Sequence, residues 1–298
     1  MRPRTVIPLV LALFTMLVAG CGGSDDERAS GSSSSSKPSR ADPTAQAESD
    51  GPQHIHGLGV QGDTLFIATH TGLWAAADGQ TKARRIGSSK QDIMGFSVLS
   101  RGRSIGSGHP DPTQSLPPNL GLIESRNRGK TWKNVSLEGQ ADFHTLESAG
   151  ARVYGFDGTQ GRLMVSPDGG RSWTQRTPPA AIFSLAIDPT VSDRIVTSTE
   201  RGLFVSANAG KRFRPLARGQ QLAGLLAWPA KGRLFLIDAS GRVRRSRDGG
   251  RRWEPVGSIG GQPTAFGAHG SDLYAALPDA TVKRSTDAGR SWTVRTTP

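Results

Sequence analysis

Five eight-residue segments of this chain align on one pattern: Ser at the first place, Asp or Asn at the third, Gly at the fifth, and Trp or Phe at the eighth. They occupy residues 125–132, 166–173, 206–213, 246–253 and 285–292, so the pattern returns about every 40 residues. The third places are Asn127, Asp168, Asn208, Asp248 and Asp287; the closing aromatics are Trp132, Trp173, Phe213, Trp253 and Trp292. A period of this length marks one repeated supersecondary unit, and a unit so small must stack on its neighbours to bury its apolar face. A short Asp or Asn side chain can accept hydrogen bonds from amides of its own turn, and the Gly supplies a positive φ. The aromatic then packs between layers. These residues hold hairpins and carry no chemistry.

Upstream of each box the sequence reads as strands. Residues 272–277 precede 281–285, and 194–199 precede 202–206, in each case as strand, turn, strand, box, strand. A first strand such as 183–187 brings the count to four per unit, and four-stranded sheets repeated at this period make a propeller. A sixth unit without a good box opens the domain at 54–86, with strands at 64–69 and 72–75. The expected fold is therefore all-β, a six-bladed β-propeller over residues 54–298. The repeated segment resembles the Asp-box, or BNR repeat, of the sialidase superfamily, and the resemblance spans about 245 of the 298 residues. It implies box turns on the face opposite any active site. Proteins with this repeat include sialidases, sortilin-type receptors and photosystem assembly factors, so the fold does not select a function. The opening His-Ile-His-Gly at 54–57 and Gly-His-Pro-Asp at 108–111 are similar to sequences labelled glycosyl hydrolase.

The first fifty residues read as an address and a tether. Arg2 and Arg4 precede an apolar stretch at 6–20, which is shorter than the ~20 residues of a spanning helix. It ends Val18-Ala19-Gly20-Cys21, which resembles a bacterial lipobox, and Cys21 is the chain's single cysteine. We expect a signal peptide at 1–20, lipidation of Cys21, and an extracytoplasmic protein anchored to the bacterial cell membrane. Residues 22–52 contain no Leu, Ile, Val, Met or aromatic residue, and 32–36 are all Ser. Residues 21–53 are thus expected to form a flexible linker, with a reach of about 30 Å.

Sialidase-like hydrolysis is the enzymatic alternative. Such chemistry needs three arginines for the substrate carboxylate, a Tyr–Glu nucleophile and an acid; glycoside hydrolysis otherwise needs two placed carboxylates. Tyr154 and Tyr274 both fall inside expected strands, and the Arg-Ile-Pro opening of sialidase domains is missing. Asp157, Glu200 and Asp238 share one repeat position and are the candidate catalytic carboxylates. Charge is uneven along the chain: 15 Lys/Arg against 13 Asp/Glu over 51–200 gives +2, and 17 against 6 over 201–298 gives +11. Arg242, Arg244, Arg245, Arg247, Arg251 and Arg252 crowd one unit. Basic blades 5 and 6 would suit an acidic envelope polymer, lipid headgroups or a protein. Nucleic acid is not expected, because stacking aromatics are missing from that stretch. A monomer is expected.

Five of the six histidines fall in the first three units. Aligning first strands on Leu58, Phe96, Leu146, Leu185, Leu225 and Phe266 puts His56, Met94 and His144 at one position, a strand start. In an antiparallel blade the first strand begins on the face where the second ends. His70, His109 and Asp157 follow second strands and should reach that same face. The expected ligand set is His54, His56, His70, Met94, His109, Asp111, His144 and Asp157. Copper tolerates imidazole, thioether and carboxylate together, and zinc could use the imidazoles and carboxylates. The same residues could line a small-molecule or glycan site, or a wet channel in which each is bonded to backbone or water.

Overall fold

A computed structural model describes residues 51–216 and 221–298. The expected signal peptide, Cys21 and residues 21–50 of the linker lie outside them. All regular structure in the described residues is strand, arranged as six four-stranded antiparallel sheets whose strand order follows the chain. Each sheet is one blade of a β-propeller. The first strands are Ile55–Gln61, Asp92–Val98, Phe143–Ala149, Ile182–Asp188, Leu225–Ala227 and Ala265–His269. Each packs on the first strand of the next blade, and Ala265–His269 packs on Ile55–Gln61, so the first strands form the inner wall of a closed ring. Among the described residues no helix is long and apolar enough to cross a membrane.

The core lies in the seams between blades. Phe66, Ala68 and Leu73 of blade 1 pack with Ile93 and Phe96 of blade 2, and Trp132 closes that seam. Trp173 closes the next, beside Ile105, Leu122, Phe143 and Leu146. Phe213, Trp253 and Trp292 stand in the three that follow. Each box aromatic thus ties its own blade to the preceding one.

Inside the box, the first Ser is as central as the Asp. Ser166 is fully buried; its Oγ accepts from the amides of Asp168 at 3.2 Å and Gly170 at 2.8 Å, while its hydroxyl donates to Asp168 Oδ1 at 2.8 Å. Asp168 Oδ1 in turn accepts from the amides of Arg171 and Ser172, at 3.0 and 2.9 Å. Hydrogen bonds from the Ser172 hydroxyl and amide hold the Asp168 carboxyl far below the usual range. Asn127 accepts from Thr131 N and Asn208 from Arg212 N, so the uncharged copies keep the geometry. Two consecutive residues, rather than the Gly alone, are left-handed: φ is 64° at Ala288 and 88° at Gly289. The Gly is required for a second reason, since a Cβ on Gly170 would lie 2.0 Å from Leu122 of the preceding blade.

Blade 1 has no box, so the seam between blades 6 and 1 is laced differently. Ile55, Ile67 and Trp74 of blade 1 pack with Ala265, Tyr274 and Val282 of blade 6. Arg295 donates to the carbonyls of Ala76, Ala77 and Gln80 at 3.1, 2.7 and 2.7 Å, and Thr297 N donates to Thr81 O at 2.9 Å. Among the described residues no strand is exchanged between the ends of the ring, and an isolated parallel bridge joins Lys82 to Thr297.

Two substitutions test this account of the box. Ser166→Ala leaves two amides without their acceptor and should cost about 1–3 kcal/mol. Ala288→Gly relieves a left-handed non-glycine residue and should stabilise by up to about 1 kcal/mol. Urea unfolding midpoints measure both, and equal midpoints for Ser166→Ala and the parent would refute the role given to the serine.

Candidate functional site

Because blades are antiparallel, the box turns and the hairpins joining first to second strands share one face of the disc, and first-strand starts share the other. Arg194 Nη2 in a blade 4 hairpin reaches the blade 5 box at Gly249 O, 3.1 Å away, and Arg128 in the blade 2 box reaches Gln61 O. The histidines belong to the strand-start face.

At the seam of blades 1 and 2, His56 enters on the first strand and His70 follows the second. Asp92 is the first residue of the first strand of blade 2. His70 Nδ1 donates to Asp92 Oδ2 at 2.6 Å, which leaves His70 Nε2 as the ring nitrogen not engaged by that carboxylate oxygen. His56 Nε2 faces Asp92 Oδ1 at 3.8 Å, beyond hydrogen-bond reach, and both atoms are buried without a partner. The His56 and His70 rings are 4.3 Å apart and nearly perpendicular, with the His54 ring 5.0 Å from His70. Ligand atoms of His56, His70 and Asp92 lie within 4.8 Å of one another. Burial, reinforced by the neighbouring His70, lowers the His56 pKa to about 4 against the pull of Asp92. His56 is therefore neutral at physiological pH, the form that binds metal.

The next seam repeats the arrangement. His109 Nδ1 donates to Pro118 O at 2.8 Å, and its Nε2 is 3.6 Å from Asp142 Oδ2. His144 Nε2 donates to the same oxygen at 2.8 Å, and this bond raises its pKa against burial. Asp142 Oδ1 is buried and unpartnered. The His144 ring rests on Gly158, where a Cβ would come within 2.8 Å of Nδ1. In both seams a His ending one blade's second strand meets an Asp opening the next blade.

Asp92 and Asp142 were missed by sequence reasoning, though a signal existed. Each sits two residues before the aligned Met94 or His144, as His54 does before His56. Met94 stands half-buried at its aligned position in blade 2.

Several expected site carboxylates are committed to their own loops. Asp111 accepts from the amides of Lys90 and Thr113, which hold its pKa down at about 2. Asp157 is fully buried, with Arg162 Nε at 3.0 Å and Gln160 N at 3.2 Å. Asp238 accepts from Ser240 N and Arg242 N, closing a turn. Glu200 stands exposed at a hairpin tip. Tyr154 is buried, donates to Ser192 O at 2.8 Å and has its pKa pushed up to about 12 by burial; burial also raises Tyr274. Neither is an accessible nucleophile.

Basic side chains segregate by face more than by blade. Exposed Arg128, Lys130, Arg171, Arg212, Arg252 and Arg290 belong to the box turns of blades 2 to 6. The run of arginines in blade 5 does not form one patch, because its strand Arg242–Ser246 crosses the disc from one face to the other. Arg245 and Arg247 also turn to Glu254, at 3.5 and 3.7 Å.

Comparison with known proteins places the fold and stops there. No family model and no curated protein sequence matches the chain. Among solved structures it resembles a chain of the nidogen/laminin complex, with TM-score 0.61, 15% identity, and coverage of 79% of this chain and 93% of that one. An ancestral GH74 enzyme gives 0.56 and 13%, over 83% of this chain but only 39% of the enzyme, so the chain spans well under half of that protein. YCF48 bound to D1 peptide gives 0.51 and 15%, over 82% and 83%. These likenesses include an enzyme and proteins solved with binding partners, at identities that speak for the fold alone.

The roles of the carboxylates can be separated by stability. Asp157→Ala strands the Arg162 guanidinium and should cost roughly 2–4 kcal/mol, whereas Glu200→Ala should stay within about 0.5 kcal/mol of the parent. Comparable urea midpoints for the two variants would show that Asp157 is not a structural residue.

Proposed function

We propose that this chain is an envelope-anchored binding propeller that captures a transition-metal ion, copper(II) or zinc, at the seam of blades 1 and 2. One observation carries the reading: His56 Nε2 and Asp92 Oδ1 face each other across 3.8 Å, buried and without hydrogen-bond partners. A buried imidazole nitrogen and a buried carboxylate oxygen left without hydrogen bonds are costly unless a cation lies between them. His56 and Asp92 would supply two ligands, and His70 a third through Nε2. The bond from His70 Nδ1 to Asp92 fixes the tautomer that a metal-bound histidine needs. His54, with its ring against His70, is available as a fourth. Zinc accepts such a nitrogen and oxygen set as a tetrahedron, and copper(II) favours its imidazoles.

A binding role agrees with the solved propellers caught with a peptide or in a complex. Hydrolysis has less support, since Asp157 and Asp238 are engaged in turns and Glu200 stands alone at a hairpin tip.

Protein purified without a histidine tag should take up one equivalent of Zn²⁺ or Cu²⁺ in calorimetric titration. His56→Ala combined with Asp92→Asn should remove at least 90% of that uptake while leaving the circular dichroism of the sheets unchanged. Full uptake by the double variant would place the metal elsewhere, and no uptake by the parent would end this reading.

The anchor and the charged face make a second, separate expectation. With Cys21 lipidated, the basic box turns would dock on anionic headgroups and leave the histidine face outward. Cys21→Ala should move the protein from the membrane to the soluble fraction. The soluble variant should bind phosphatidylglycerol vesicles at low salt and release them as salt rises; membrane retention of Cys21→Ala, or salt-independent vesicle binding, would contradict this arrangement.

A further inference from the structure

The first strands of blades 1 to 4 share an irregularity that those of blades 5 and 6 lack. Where the first strand of blade 1 pairs with the second, Ile55 opposes Thr69 and Gly57 opposes Ala68, so His56 is the extra residue of a β-bulge. Met94 is the extra residue in blade 2, His144 in blade 3 and Phe183 in blade 4. The corresponding ladders of blades 5 and 6 run without a register shift. A bulge re-aims the side chain that it inserts. The residue before each bulge, Ile55, Ile93, Phe143 or Ile182, is buried, whereas the bulged residue is half-buried or exposed.

Three of the four bulged residues carry a donor atom: two imidazoles and, in the blade between them, the Met94 thioether. The two imidazoles are electrostatic neighbours across that blade, since His144 contributes to lowering the His56 pKa and Asp92 to raising that of His144. Met94 stands at the aligned position of the intervening blade, two residues beyond Asp92 on the same strand. Its side chain belongs to none of the six core clusters, although Ile93 and Phe96 of that strand do. The other methionine among the described residues, Met164, is buried in the core. A thioether held at the mouth and not spent on packing is free to act as a ligand.

Donor chemistry selects the ion. Calcium and magnesium take oxygen ligands, and zinc takes thiolate, imidazole and carboxylate, so a neutral thioether adds little for any of them. Thioether with imidazole suits copper(I), which is soft. Building on the metal reading of the blade 1–2 seam, we propose that the same mouth holds copper(I), with the Met94 thioether joining the His56 and His70 imidazoles. Asp92 then serves through its hydrogen bond to His70, which orients that ring. A divalent ion draws on the Asp92 carboxylate directly; the singly charged, softer ion draws on sulfur. The ion binds already reduced, and no electron is transferred.

The probe is copper(I), kept reduced by ascorbate under nitrogen and presented as its bicinchoninate complex to the full-length Cys21→Ala protein, which has no thiol to compete. The protein should withdraw one equivalent, read as bleaching of the complex, and X-ray absorption at the copper edge should show sulfur together with nitrogen around the ion. Met94→Leu keeps the size and apolar character of the side chain. It should remove the sulfur signal and weaken copper(I) binding about tenfold or more, which loss of a supporting partner already costs at metal sites. Its zinc affinity should stay within about twofold of the parent, because zinc does not use the thioether. A merely structural role of Met94 would weaken both ions together. That result overturns the proposal, as does copper(I) held by Met94→Leu as tightly as by the parent, or no withdrawal of copper(I) by the parent. Uptake of zinc or copper(II) without copper(I) would leave the divalent reading standing and end this one, whereas Met94-dependent copper(I) binding without divalent uptake would do the reverse.

Discussion

Burial at the seams between blades is the interaction on which the molecule depends. A four-stranded sheet with strands of two to nine residues exposes two faces, and neither can be covered from within the same blade. The ring solves this by making every face an interface, so each core cluster draws residues from two blades. At five seams the box aromatic and glycine supply the close fit. At the sixth, Arg295 and Thr297 bind backbone carbonyls of blade 1, which fastens the ring where no box is present.

The same constraint produces the sites. First strands must pack side by side round the axis, so residues at their starts come within reach of loops from the preceding blade. His70 and Asp92 meet across one seam and His109 and Asp142 across the next because the repeat places them there. The inner wall obeys a related rule. A Cβ on Gly59 would lie 2.3 Å from Val98 of the next blade, so a glycine is forced where first strands crowd.

The two faces of the disc differ in chemistry for a topological reason. Hairpins and boxes carry exposed arginines and lysines on one side, while buried acids and histidines collect at strand starts on the other. Electrostatic separation of this kind orients a protein near a charged surface without any dedicated contact.

Much of this was legible in the residues alone. Boxes at an even period and alternating apolar strands determine the all-β class, the blade count and the hairpin positions, because hydrogen bonding within a turn is local and depends on nearby side chains. The alignment of first strands also determined that His56 and His144 begin equivalent strands. Pairings that cross a seam were decided only by the tertiary structure. Asp92 and Asp142 look like ordinary loop-edge acids in sequence, and Asp111 and Asp157 look like equally good ligands, until packing shows which oxygens are already bonded. The blade 5 arginines read as one cluster in sequence and separate in space, since neighbours along a strand that spans the disc end on opposite faces.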